Sequence, residues 1–132
     1  MKPPPFEYHA PATVDEACSM LGSLEDAKVL AGGQSLIPLL NFRLARPSHL
    51  VDINRIAGFD GIYEREGGVA VQALARQAAV EDSDLVARIC PLLAAALKLV
   101  AHRVIRNRGT LCGSLAHADP AAELPAILLA LG

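Results

Sequence analysis

A short apolar segment that leads directly into two glycines sets the local fold early in this chain. Residues 28–30, Lys-Val-Leu, lead into Ala31-Gly32-Gly33-Gln34-Ser35-Leu36. The apolar run predicts a strand, and Pro38 is compatible with the first turn of a following helix. Glycine allows backbone angles that a Cβ forbids, so successive N–H groups can face a bound phosphate. A plain strand–helix turn gives the same pattern, and this stretch alone leaves both interpretations open.

A second glycine-bearing stretch, Thr110-Leu111-Cys112-Gly113-Ser114, places two hydroxyl residues around a tight backbone turn. Gln34 and Ser35 offer further side-chain donors at the first stretch. One chain with two such sites is able to hold both phosphates of a dinucleotide.

The composition limits the class of protein. The 132 residues are 52% apolar and 4% aromatic with a net charge of −2, which argues against a nucleic-acid or anionic-membrane partner. The longest apolar run, residues 89–100, is too short to span a bilayer, and residues 1–5 lack the apolar stretch of a signal peptide. Three widely spaced cysteines indicate neither a metal motif nor a disulfide framework, so we expect reduced thiols and a cytoplasmic location.

The first third of the chain has an α/β pattern. Strands are predicted at residues 6–8, 28–30 and 49–53, with a helix at 36–44. Thr13 and Glu16 have the spacing of a capping box, which predicts another helix from Val14 to a stop at Gly22. Its apolar positions 14, 17, 18 and 21 predict one buried face, with Cys18 as a buried thiol.

The remainder of the chain changes character. Alternating residues 62–65 and 69–73 predict a hairpin, and we place a subdomain boundary between Ile53 and Ile62. Helices are predicted at 76–86 and from Pro91, with apolar positions 92, 93, 96, 97 and 100 on the second. Asp119 and Pro120 predict a helix start, although Pro125 would kink that helix or delay it. Positions 124, 127, 128 and 131 form its apolar stripe.

Residues 102–108 form the basic cluster of the sequence. It could steer an anion toward the Thr110 stretch or serve as a solvated connector, and composition slightly favours the connector. His102 and His117 have no partners at ligand spacing, so no metal site is expected there. No general acid, base or nucleophile stands out, and no catalytic residue is predicted.

Two motifs carry a family resemblance. Residues 29–38, VLAGGQSLIP, and residues 105–126, IRNRGT through GSLAHADPAAELPA, resemble the flavin subunit of molybdenum hydroxylases of the carbon monoxide dehydrogenase and xanthine dehydrogenase type. The resemblance extends from about Phe6 to Leu131. It implies an FAD-binding PCMH-type α/β (α+β) fold. Residues 1–56 would form a small βαβ subdomain with the first pyrophosphate loop, and residues 57–132 would begin a larger mixed α/β subdomain, with FAD in the cleft between them.

The resemblance also implies roles for particular residues. Ala31 to Ser35, with Leu36 after them, would surround the FAD pyrophosphate, and Thr110 to Ser114 would hold the other side of the cofactor. Glu123 matches a carboxylate that contacts the flavin nucleotide. Cys112 stands where the family usually has glycine, as either a tolerated small residue or a reactive thiol.

The partners follow from the resemblance as well. The flavin would take electrons from iron–sulfur clusters in a small subunit and pass them to an external acceptor, while a large subunit carries the molybdopterin. Family members are about twice as long, so we expect this chain to be an N-terminal portion that is not active alone. Two alternatives remain: a non-catalytic nucleotide- or anion-binding module, and a structural fragment that docks through residues 124–131.

Overall fold

The computed structural model describes residues 1–131. They fall into two compact units that divide between Gly58 and Phe59. None of the helices in this described part of the chain is long and apolar enough to cross a bilayer.

The first unit contains a three-stranded parallel sheet. Its elements are β1 (Glu7–His9), α1 (Val14–Ser23), β2 (Ala27–Leu30), α2 (Leu36–Asn41), β3 (His49–Asp52) and a 3₁₀ turn, Ile53–Arg55. The strand order is β1-β3-β2, and Leu50 of β3 pairs with Tyr8 on one side and Lys28 on the other. Because parallel strands need crossover connections, α1 and α2 link them, which confirms the predicted α/β start.

Helix α1 confirms its predicted start and corrects its predicted face. Thr13 caps the helix, and Thr13 and Glu16 form the full capping box. Among its residues Ala17 alone is buried, whereas Cys18 is exposed, so the prediction of a buried thiol is wrong. The spacing predicts one buried face, but Val14 and Leu21 on that face are exposed. The helix also runs through Gly22 and ends at Ser23.

Helix α2 is shorter than its sequence pattern predicts. The apolar residues continue to Leu44, but the helix ends at Asn41 and Phe42 caps it. Arg43 adopts a positive φ of 57°, which a continuing right-handed helix does not allow.

The second unit begins with the predicted hairpin. Strands β4 (Ile62–Arg65) and β5 (Gly68–Val71) pair antiparallel, and Gly67 in the connecting turn has a φ of 82°. Six helices follow in chain order: α3 (Gln77–Glu81), α4 (Asp84–Ile89), α5 (Pro91–Leu97), α6 (Arg103–Arg106), α7 (Leu111–His117) and α8 (Glu123–Leu131).

Two predicted helices differ in detail. The single helix predicted over 76–86 is divided, because Asp82 ends α3 and the Ser83 side chain caps α4 by accepting from the Val86 N–H at 3.3 Å. Asp119 caps a turn through the Ala121 N–H at 2.9 Å, and α8 starts later, at Glu123. The delay that Pro125 predicts is therefore observed.

The helices of the second unit enclose its core. The fully buried or nearly buried members are Ala75, Val80, Val86, Leu93, Ala94, Leu97, Val100, Leu111 and Leu124. Ile127 and Leu128 pack against this cluster, so most of the predicted stripe on α8 is used within the unit. Leu92, predicted on the buried face of α5, is half exposed instead.

Arg106, in the basic segment 102–108, has neither of the two predicted roles, because it neither steers an anion from the surface nor belongs to a solvated connector. Arg106 is buried, and its Nε donates to Glu81 Oε2 at 2.8 Å. Its Nη1 donates to the carbonyls of Val100 at 2.7 Å and Ala101 at 3.0 Å. Arg103 pairs with Glu81 and Asp82 at the surface. Arg103 and Arg106 therefore link α6 to the end of α3 through ion pairs. The acidic partners lie more than 20 residues away, so the composition of the basic segment did not predict them.

Candidate functional site

The first glycine stretch forms the turn between β2 and α2. Gly33 has a φ of 74°, in the left-handed region that favours glycine. A Cβ at this position would lie 3.1 Å from Ile37 Cγ1 and 3.2 Å from Leu30 Cδ1. The positive φ favours glycine, and a Cβ would in addition crowd the Ile37 and Leu30 side chains, so other residues would strain this turn.

The turn presents backbone donors that the chain does not use. The N–H groups of Gly32, Gly33, Gln34 and Ser35 have no acceptor within residues 1–131, although the Gly33 carbonyl accepts from Ile37 N at 3.0 Å. Gln34 and Ser35 are exposed, and the Ser35 side chain makes no capping hydrogen bond. A turn that faces solvent and carries these four consecutive N–H groups is suited to an anionic ligand such as a phosphate.

Three residues that the sequence reasoning did not select hold this turn in place. The Asn54 side-chain amide donates to the Ala31 carbonyl at 2.8 Å, and the Asn54 N–H donates to Asp52 Oδ1 at 2.9 Å. Tyr8 donates its hydroxyl to Asp52 Oδ2 at 2.6 Å. We call Tyr8, Asp52 and Asn54 the turn-support network. Asp52 is the last residue of β3, which is parallel to β2, and Asn54 lies in the turn that follows; this placement was the available signal for them.

The network fixes the charge of its carboxylate. Burial favours the neutral form of Asp52, but the hydrogen bonds from Tyr8 and Asn54 outweigh it and lower the pKa of this carboxyl. The same hydrogen bond to Asp52 raises the pKa of Tyr8. Asp52 is therefore ionised and Tyr8 neutral near pH 7, the combination in which the phenol donates and the carboxylate accepts.

The second glycine stretch forms the start of α7. Thr110 is buried, and its hydroxyl oxygen accepts from the Gly113 N–H at 3.0 Å as a helix cap. Leu111 is also buried, and its N–H donates to the Ala75 carbonyl at 3.3 Å. Cys112 keeps an N–H without an acceptor inside residues 1–131. This stretch offers fewer backbone donors to a ligand than the Gly32–Ser35 turn.

Cys112 lies in an environment that favours the neutral thiol. Its sulfur donates to the Val71 carbonyl at 3.6 Å, and burial raises the pKa of the thiol. Since the thiolate is the reactive form, the structure favours a small packed side chain over a reactive one.

Glu123 is exposed at the first residue of α8, and its carboxylate makes no hydrogen bond or salt bridge with the described residues. The predicted site residues are thus divided between the units. Residues 31–36 lie in the first, and residues 110–114 and Glu123 lie in the second.

The parallel sheet with an anion-suited turn at the carboxyl end of β2 is typical of nucleotide-binding α/β domains. Residues 4–132 match the family described as the FAD binding domain in molybdopterin dehydrogenase. The chain belongs to this family.

Relatives and solved structures agree with that assignment. The chain is 52% identical to the 6-hydroxypseudooxynicotine dehydrogenase complex subunit alpha of Paenarthrobacter nicotinovorans, over 99% of this chain and 45% of the relative. It superimposes on carbon monoxide dehydrogenase from Hydrogenophaga pseudoflava with a TM-score of 0.93 and 48% identity, over 96% of this chain and 45% of that one. For quinoline 2-oxidoreductase from Pseudomonas putida 86 the TM-score is 0.91 and the identity 46%, over 95% and 44%.

The chain spans about half the length of the curated relatives it matches. The predicted FAD-binding PCMH-type fold of the molybdenum hydroxylase flavin subunit is confirmed for this span.

Proposed function

We propose that this chain is the FAD-binding part of the flavin subunit of a molybdenum hydroxylase. The observation that carries the proposal is the Gly32–Ser35 turn, where four consecutive N–H groups have no acceptor among residues 1–131 and Gly33 has a φ of 74°. Membership in a family of FAD-binding domains supports the identity of the ligand.

The residues fit the pyrophosphate of FAD. Backbone N–H groups stabilise the negative oxygens of a phosphate by donating hydrogen bonds, so a basic side chain is not required. Ala31 to Leu36 are proposed to hold the pyrophosphate. Residues Thr110 to Ser114 are proposed to hold the other side of the cofactor, with Cys112 contributing its free N–H. The exposed carboxylate of Glu123 suits the hydroxyl groups of the cofactor, which donate hydrogen bonds.

The chain's own residues bind and orient the cofactor, and bound FAD supplies the redox chemistry. No residue is proposed as a catalytic acid, base or nucleophile. Residues 1–56 are proposed to act as the subdomain with the first pyrophosphate loop and residues 57–132 as the beginning of the second FAD-binding subdomain.

The whole protein is proposed to work with two partners, an iron–sulfur small subunit and a molybdopterin large subunit, and to deliver electrons to an external acceptor. The relatives' names refer to substrates as different as carbon monoxide and quinoline. Substrate choice is therefore proposed to belong to a partner subunit. Three free cysteines agree with a reducing, cytoplasmic setting.

Titration of the purified chain with FAD, ADP and FMN tests the proposal. We expect FAD to bind and ADP to displace it, because ADP carries the pyrophosphate, whereas FMN carries one phosphate and competes poorly. A chain that binds ADP but no FAD would support the alternative of a nucleotide-binding module. A chain that binds none of the three would overturn the FAD-binding proposal.

A further inference from the structure

A cluster of three metal-ligating side chains lies on the sheet of the first unit, apart from the glycine turn. Within the described residues, Glu7, His9 and His49 bring one donor atom each to within 4.8 Å of one another. Glu7 and His9 share one face of β1 because alternate strand residues point the same way, and His49 is the β3 partner of Glu7. The backbone pairing therefore places all three donors together before any side chain adjusts.

The distances suit a small cation. His9 Nε2 and His49 Nδ1 are 3.2 Å apart, and Glu7 Oε2 lies 3.6 Å from His49 Nδ1 and 4.0 Å from His9 Nε2. Ligand bonds of about 2.0–2.1 Å in a tetrahedral arrangement place donor atoms roughly 3.3–3.5 Å apart. The two imidazole nitrogens, 3.2 Å apart, lie just below this range, and a small rotation of the exposed Glu7 side chain would bring its carboxylate oxygen closer to them.

Hydrogen bonding does not account for the position of the Glu7 carboxylate beside the two imidazoles. One hydrogen bond joins the two imidazoles, whereas the Glu7 distances of 3.6 and 4.0 Å exceed hydrogen-bond range. Both imidazole side chains are mostly buried, with relative exposures of 23% and 19%, so their ring positions are restricted. Three potential ligand atoms thus lie within 4.8 Å of one another, and one hydrogen bond joins two of them.

We propose that Glu7, His9 and His49 form a binding site for a zinc-type divalent transition-metal ion. Two histidines and a carboxylate are a recognised zinc donor set, and imidazole nitrogen favours transition metals over Mg²⁺ or Ca²⁺. His9 would bind through Nε2 and His49 through Nδ1, with solvent completing the coordination. The ion would fasten the edge strand β1 to the central strand β3.

The metal site is separable from the nucleotide turn. Glu7 and His49 open their strands and stand in register with Ala27, about three residues before the end of β2, whereas His9 stands in register with Val29 near that end. At a rise of about 3.3 Å per residue, the Glu7 and His49 backbones lie roughly 10 Å from the end of β2 along the strand direction. None of the three ligands belongs to the Gly32–Ser35 turn, and the two proposals are read out with different ligands, Zn²⁺ and ADP, so failure of one leaves the other intact.

The test is titration of the metal-stripped chain with Zn²⁺ alone, followed by calorimetry and thermal unfolding. We expect one Zn²⁺ per chain, a raised Tm with Zn²⁺, and an affinity loss of at least roughly tenfold in Glu7→Gln and His49→Ala. His117→Ala, an exposed histidine of the second unit, is the matched control and should bind like the wild type. Co²⁺ in place of zinc should give the intense visible absorption of a four-coordinate site.

Glu7→Gln keeps the test decisive if His49→Ala does not fold, because Glu7 is exposed and its substitution preserves size. Circular dichroism checks the fold of both variants. Equal Zn²⁺ affinity in the wild type and Glu7→Gln would overturn the proposal and leave only the hydrogen bond between the imidazoles. A loss in His117→Ala as large as that in His49→Ala would also overturn it.

Discussion

The Asn54 side-chain amide donates a hydrogen bond to the Ala31 carbonyl, 23 residues earlier in the chain, at 2.8 Å. The bond connects the turn after β2 to the turn after β3. It holds the residue that immediately precedes Gly32 and Gly33, whose N–H groups have no acceptor in the described part of the chain. Asn54 therefore acts on the proposed phosphate turn through the backbone of Ala31.

Asn54→Ala should weaken ADP binding by loosening that turn. Loss of the hydrogen bond should also lower the free energy of unfolding by about 0.5–1.5 kcal/mol. Calorimetric titration with ADP and chemical denaturation measure the two effects. Asn107→Ala, at an exposed asparagine of the second unit, is the control. An Asn54→Ala protein that binds ADP as tightly as this control would contradict the supporting role.

Asp52 should make stability depend on pH in the acid range. Its folded-state pKa is lowered, so its contribution is present above about pH 4 and is lost as the pH falls through the folded-state value. The difference in free energy of unfolding between the wild type and Asp52→Asn should therefore be largest near neutral pH and shrink below about pH 4. Denaturation series at several pH values measure it. A difference that grows on acidification would show that the network favours the neutral carboxyl.

The buried Arg106–Glu81 pair should matter far more than a surface pair. Glu81→Ala would leave the Arg106 charge buried without its carboxylate, which costs about 3–5 kcal/mol. Glu64→Ala removes the carboxylate from the exposed Arg88 pair and should cost about 0–1 kcal/mol. Chemical denaturation compares the two variants directly. Similar losses in both would show that Arg106 is compensated by other groups.

Glu123→Ala should reduce FAD affinity without destabilising the fold, because the side chain is exposed. A hydrogen bond to a charged group predicts a loss of about 1.5–3 kcal/mol in binding free energy. Glu66→Ala removes an exposed carboxylate from the hairpin turn and serves as the control. If both variants bind FAD equally, Glu123 does not contact the cofactor.

The sequence predicted the elements that depend on local chemistry. Thr13 with Glu16 marked the start of α1, Pro91 marked the start of α5, and the Glu66-Gly67 turn marked the hairpin. The apolar pattern on α1 was misleading because burial depends on what lies opposite, and only Ala17 is buried.

The contacts between distant residues were not predictable in this way. Arg106 with Glu81, Asn54 with Ala31, and His9 with His49 are separated by 25, 23 and 40 residues. No local propensity encodes such pairs, since they arise from strand register and helix packing. The glycine turn was predictable because a backbone position with a positive φ is usually occupied by glycine, and the glycine is visible in the sequence.

ADP titration of three proteins shows whether the Gly32–Ser35 turn binds the pyrophosphate of FAD. Gly33→Val adds a side chain where φ is 74° and where a Cβ would crowd Ile37 and Leu30. Gly67→Val imposes similar strain at a φ of 82° in the hairpin, where a Cβ meets nothing within 4 Å. Strain of about 1–3 kcal/mol is expected in both variants.

We predict that the wild type and Gly67→Val bind ADP alike and that a folded Gly33→Val binds it much more weakly. Equal ADP affinity in all three proteins would contradict the account.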